Sequence, residues 1–136
     1  MAARLALFAA ALWWGALSAV IGFVVPLLFV QLPTKALAAG MAARLFTVQT
    51  WLSLGCGMVL LLALKRRSGD GGARATLFCV VAGMLAALVI EFAIAPRIIA
   101  RGNGWHLWHA TGTALFVVQW LLAGAALWRV GAADRR

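Results

Sequence analysis

LALFAAALWWGALSAVIGFVVPLLFV, residues 5–30, decides the architecture. It is an unbroken run of uncharged, mostly apolar residues. A helix needs about 20 such residues to cross the ~30 Å hydrocarbon layer of a bilayer, and this run exceeds that. A secretory signal has an apolar core of only about 7–15 residues. The run therefore reads as a membrane span, although Ala36-Leu37-Ala38 resembles a cleavage site. Within it Ala11, Gly15 and Ala19, with Ser18 and Gly22, recur at four-residue spacing. Such a stripe lets another helix come close. Pro26 removes a backbone donor and predicts a kink. Trp13 and Trp14 fall mid-span, too deep for an interfacial belt, and are expected to fill space between helices.

The rest of the chain repeats this pattern. Of its 136 residues 65% are hydrophobic and 11% charged, whereas a soluble domain is about half apolar and a quarter charged. The surplus must face lipid. The length suits one all-α integral membrane domain, a four-transmembrane-helix bundle with spans at about 5–30, 44–64, 75–95 and 105–130. Residues 31–43 are expected to form a loop, with Pro33 stopping the first helix and Gly40 breaking the remainder of the segment. KRRSGDGGAR, residues 65–74, is a basic, glycine-rich turn. Pro96 marks the end of the third span.

The net charge of +9 would suggest nucleic acid in a soluble protein. Here the basic residues sit at the ends of apolar runs, so they read as topological signals and contacts to anionic headgroups. The expected partner is the lipid bilayer, with no nucleic acid. Four spans put Arg4, Lys65, Arg66, Arg67, Arg74, Arg129, Arg135 and Arg136 on one side, and Lys35, Arg44, Arg97 and Arg101 on the other. The richer side faces the cytoplasm, so both termini are expected there.

Polar chemistry collects in LVIEFAIAPRIIARGNGWHLWHATGT, residues 88–113. It holds Glu91, the only Glu, and both histidines, His106 and His109. A carboxylate within a span must be paired, protonated or wet, and its default reading is functional. At 1.5 Å rise per residue, Glu91 and His109 are each expected roughly 6 Å inside the outer end of their helices. Gln49 and Thr50 of the second span, beside Thr47 and Ser53, fall near that level. The partners open to Glu91 are His109 and Arg97, and the sequence does not choose between them. The rival reading is structural, with Glu91 pairing across helices and the histidines at headgroup level beside Trp105 and Trp108.

Other chemistries fit less well. His106, His109 and Thr113 share one helix face, so the two histidines of one chain cannot sandwich a haem, and no cofactor is expected. A soft-metal site would draw on Cys56, Met58, Cys79 and Met84, and His106 and His109 are the other metal candidates. The cysteine levels differ by roughly 6 Å, a poor preformed site. Packing is the simpler role for both cysteines. No nucleophilic or hydrolytic constellation is present, and an enzyme is not expected. Val20-Ile21-Gly22-Phe23 before Pro26 is echoed by Val89-Ile90-Glu91-Phe92 before Pro96, with the spacing to proline differing by one. Two parallel hairpins or chance in apolar low complexity both produce such a match.

VVPLLFVQLP with Ala39-Gly40 and Phe46, then Pro96-Arg97-Ile98 and His109, resembles a family of small bacterial membrane proteins of unknown function. That family is related to eukaryotic transmembrane proteins linked to cisplatin tolerance. The pattern residues are Pro26, Phe29, Pro33, Gly40, Pro96, Arg97 and His109, over nearly the whole chain. Members often carry Ser and Asn after the histidine, where this chain has Ala110-Thr111-Gly112-Thr113. The resemblance implies a four-helix protein of the bacterial inner (plasma) membrane without an established reaction. Residues and resemblance together lead to two expectations. One is binding or transport of a small solute or metal-type ion through an outward-facing polar site of Glu91, His109, Arg97, Gln49 and Thr50, in a homo-oligomer. The other is a structural or accessory subunit packed on a larger membrane complex.

Overall fold

Four long helices account for the fold of this computed structural model, which describes residues 2–65, 71–100 and 102–134. They run over Ala2–Gln31, Lys35–Leu64, Gly71–Ile99 and Trp105–Asp134. All four are long and apolar enough to cross a membrane, and the described residues contain no strand. The expected charges at Arg66, Arg67, Asp70, Arg101, Arg135 and Arg136 lie outside the described residues.

The helices are longer than the sequence pattern predicted, for two physical reasons. Pro33 does end the first helix, but Thr34 at once caps the second, its hydroxyl accepting from Leu37 N at 3.2 Å. A Thr cap satisfies one of the orphan donors of a first turn. The expected loop at 31–43 is thus only Leu32-Pro33-Thr34, and Gly40 lies inside a helix. Pro96 does not end the third helix, which continues to Ile99. A proline ring clashes with the carbonyl four residues back and leaves it without a donor. Both helix-interior prolines avoid the clash the same way. A π turn over Val20–Val24 precedes Pro26, and one over Ile90–Ile94 precedes Pro96. Val25 N–H donates to Val20 O and Ala95 N–H to Ile90 O. The wider turn shifts the ladder by one residue ahead of the ring. The internal echo is therefore real geometry, with its register set by the prolines.

The first helix packs on the second and fourth, and the third packs on the same two. This is an up-and-down bundle with both ends of the chain at one end: Ala2 and Ala133 line the same groove. At the bundle's other end Gly102-Asn103-Gly104 turns the chain, Gly104 having φ +85°, a left-handed conformation that glycine adopts without strain. Between helices in lipid, packing is the main attraction, and here bulky side chains seat against glycines. A Cβ on Gly83 would lie 2.7 Å from Trp13, on Gly57 2.4 Å from Met84, on Gly112 3.1 Å from Ile94, and on Gly124 2.9 Å from Trp14. Trp13 and Leu17 are fully buried with Leu60 and Val80. Trp14 stacks on Trp120 at 5.7 Å. Both tryptophans fill inter-helix space as expected.

The small-residue stripe does not. Ala11, Gly15, Ala19 and Gly22 are exposed, and added Cβ atoms on Gly15 and Gly22 would meet nothing within 4 Å. The inward face of the first helix is instead Ala6, Ala9, Ala10, Trp13 and Leu17. Of the stripe only Ser18 points in: it donates to Trp14 O and accepts from Trp120 Nε1, each at 2.8 Å.

Candidate functional site

Glu91 is the second residue of the π turn ahead of Pro96 and is half-buried. Its Oε1 accepts a hydrogen bond from Thr47 Oγ1 of the second helix at 2.7 Å. A hydroxyl donating to a carboxylate at this length is a strong, charge-assisted bond. No described cation pairs with Glu91. The partner is therefore neither Arg97 nor His109 but a threonine that the polar pattern of the second span contained and the expected site omitted. The extra helix length explains why. With the third helix reaching Ile99, Glu91 lies eight residues, roughly 12 Å, from its end. His109 lies only about 6 Å inside its own helix. Cross-helix contacts agree with this register: Gly112 faces Ile94 and Phe46 meets Phe116 edge to face at 5.4 Å. His109 sits farther out than Glu91, and the expected common level does not hold.

One turn further into the bundle lies a buried amide cluster. Gln49 and Thr50 are each 5% exposed, Gln119 is 2% and Ser53 is 0%. Ser53 Oγ donates to Gln49 O at 2.8 Å, and accepts from Gln49 Nε2 at 3.3 Å and from Gln119 Nε2 at 3.0 Å. One hydroxyl thus uses its donor and both lone pairs, tying the second helix to the fourth. The expected inward polar face of the second helix is correct. Gln119 was missed, although it is the one amide or hydroxyl residue between Thr113 and Arg129. An isolated amide in an apolar span was the signal, since lipid offers it no partner.

The remaining site residues gather at the outer rim. Arg97 is exposed; its guanidinium donates to Ala93 O and lies 4.5 Å above the Trp108 ring. His106 and His109 are exposed, with ring centroids 3.7 Å and 6.4 Å from that of Trp105. Aromatic residues beside cations are typical of a headgroup-level belt. The structure thus joins Glu91 to Thr47, joins Gln49 to Ser53 and Gln119, and leaves Arg97 and the histidines as a rim above them.

Metal chemistry finds little support in the side-chain placement. The described residues hold no group of three or more His, Cys, Asp or Glu side chains able to share an ion. Cys56 is buried in the apolar core and Cys79 packs against it, both as free thiols. Met84 is spent on Gly57, and Met58 is exposed.

The family model for a domain of unknown function, DUF4149, matches residues 8–104. That covers most of the first helix, all of the second and third, both π turns and the loop into the fourth. Glu91, Thr47, Gln49, Thr50, Ser53 and Arg97 fall inside the match, whereas His106, His109 and Gln119 fall beyond it. No curated protein and no solved structure matches the chain. With its two proline-linked π turns and the Glu91–Thr47 pair all inside the matched residues, the chain belongs to the family of the domain of unknown function DUF4149.

Proposed function

We propose that the protein binds, and passes toward the bundle centre, a small positively charged solute or metal-type ion at Glu91, entering from the end that carries Arg97 and the histidines. The observation that carries this reading is the Glu91 carboxylate itself. It stands in a π turn of a membrane helix, held by a hydroxyl and paired with no described cation. Ionisable groups at such depth are expensive and mark solute pathways, and π turns recur at functional sites. The Gln49–Ser53–Gln119 cluster continues the polar surface inward. The lysine and arginine count favours a cytoplasmic location for both termini, which makes the Glu91 end periplasmic in a bacterial inner membrane. The relation expected between the resembled family and proteins linked to cisplatin tolerance puts metal-type ions among the solutes to try.

Infrared difference spectra of the protein in lipid nanodiscs test this with sodium, zinc and tetraphenylphosphonium as probes. The expected result is a probe-dependent shift of a carboxylate stretch that is absent in Glu91→Gln. Thr47→Val, which removes the donor but keeps the shape, is expected to change the affinity by about threefold to tenfold, the worth of one hydrogen bond. No Glu91-dependent shift with any of the three probes would refute the site.

A second reading, assembly into a homo-oligomer or onto a larger membrane complex, is favoured by the exposed stripe of Ala11, Gly15, Ala19 and Gly22. Small residues facing lipid are the surface that helices use to pack. Gly15→Leu is expected to convert an oligomer to monomer in light-scattering measurements in detergent. An unchanged mass would remove the stripe from any self-association surface.

A further inference from the structure

The end of the bundle that carries both termini holds a wide, open groove of about 1180 Å³, remote from Glu91. Trp14, Trp120 and Trp128 line it together with Gly124, Thr76 and Arg129. Compact solutes occupy clefts of roughly 300–1,000 Å³ that enclose most of their surface. This groove is larger, and the residues lining it run along the helices from Trp14 and Trp120 to Ala2 and Ala133, a span for an extended chain. Its walls are largely apolar and aromatic, and its mouth is basic. Arg129 lines it, and Arg4, Lys65 and Arg74 stand at the same ends of their helices. Glu91 lies in the opposite half, and Asp134 ends the fourth helix on the groove side.

We propose that this groove is a binding site for an anionic phospholipid, its acyl chain along Trp14, Trp120 and Gly124 and its phosphate at Arg129. Charge complementarity selects this occupant. Basic pockets between membrane helices bind anionic headgroups, and Arg matches a phosphate with two parallel donors. The seat for the chain follows from Gly124. A Cβ there would lie 2.9 Å from Trp14 Nε1, so the glycine lets Trp14 lie flat on the fourth helix and form the groove wall with Trp120. Trp120 is held in turn by its bond to Ser18.

The test uses the full chain reconstituted into vesicles of equal phosphatidylglycerol and phosphatidylcholine, extracted into detergent, with the retained lipid identified by mass spectrometry. The wild type is expected to retain phosphatidylglycerol preferentially. Arg129→Gln, at an exposed position, is expected to lower that preference about fivefold, the weight of one basic side chain beside an anionic lipid. Ala125→Phe, one turn from Arg129 on the same wall, is expected to reduce retention of both lipids, while Arg44→Gln at the other end leaves retention unchanged. Equal retention of the two lipids by the wild type would overturn the proposal. So would an Arg129→Gln variant that keeps the full preference.

Discussion

Replacing Gly83 with alanine is expected to destabilise the bundle by roughly 2 kcal/mol, a large effect for one methyl group. The new Cβ would stand 2.7 Å from Cη2 and 3.0 Å from Cζ2 of Trp13, and 3.7 Å from Leu122 Cβ. A flexible side chain could swing aside, but the indole is rigid and 0% exposed. Its ring can move only by pushing the first helix away from the third. Trp13→Phe removes the atoms that collide, and it also removes the Nε1 donor that is buried without a partner among the described residues. The Trp13→Phe, Gly83→Ala double variant should therefore recover more than half of the loss caused by Gly83→Ala alone. Reversible unfolding by SDS in mixed micelles measures all four corners of this cycle. Contacting residues couple by about 0.5–3 kcal/mol, and strictly additive losses would mean that Trp13 does not seat on Gly83.

Trp13 also shows how far the sequence alone could be read. Its burial between helices followed from its depth, because a tryptophan far from either interface has no headgroup to reach. That it would point at Gly83 did not follow, since several glycines in three other helices offered equivalent seats. The number of helices and their apolar character were legible because lipid permits only one solution to the backbone hydrogen-bonding problem over such runs. Their lengths were not, because Pro96 reads as a terminator and residues 31–43 as a loop. Pro33 does end a helix; Pro96 does not, and like Pro26 it is absorbed by a π turn that no local residue preference announces.

The site was partly legible for the same reasons. Glu91 stood out because a carboxylate among apolar residues has to be explained. Its partner was misassigned because depths were counted from a helix end set four residues too early. The small-residue stripe of the first helix matched a packing pattern without stating which of two faces would be covered. In this chain the covered face is the one bearing Trp13, and large residues set into glycines of neighbouring helices replace small-on-small contact. Gln119 was overlooked because its significance lies in Ser53, a residue 66 positions away.

Ser53→Leu is expected to be the other severe substitution, with a loss of roughly 3 kcal/mol in the same SDS unfolding measurement. Two effects combine at this position. Ser53 is 0% exposed in the core, where Gln119 of the diagonally placed fourth helix reaches it, so the larger side chain must displace the groups packed around it. It also removes the acceptor of Gln49 Nε2 and Gln119 Nε2, leaving two amides facing hydrocarbon. Ser53→Ala separates the terms, since it removes the acceptor without adding bulk. The one inter-helix bond lost, from Gln119, is worth about 0.6 kcal/mol on the membrane average, and the bond from Gln49 within the same helix about 0.2–0.5 kcal/mol, so Ser53→Ala should lose only about 1 kcal/mol. Gln119→Leu should lose less, and the two together should be less than additive because they break the same bond. The difference between leucine and alanine then measures how tightly the core is packed around Ser53, below Glu91. If Ser53→Leu proved as mild as Ser53→Ala, the bundle would be loose at this level. A severe loss means instead that the core around Ser53 is closely packed, with no room for a larger side chain below Glu91.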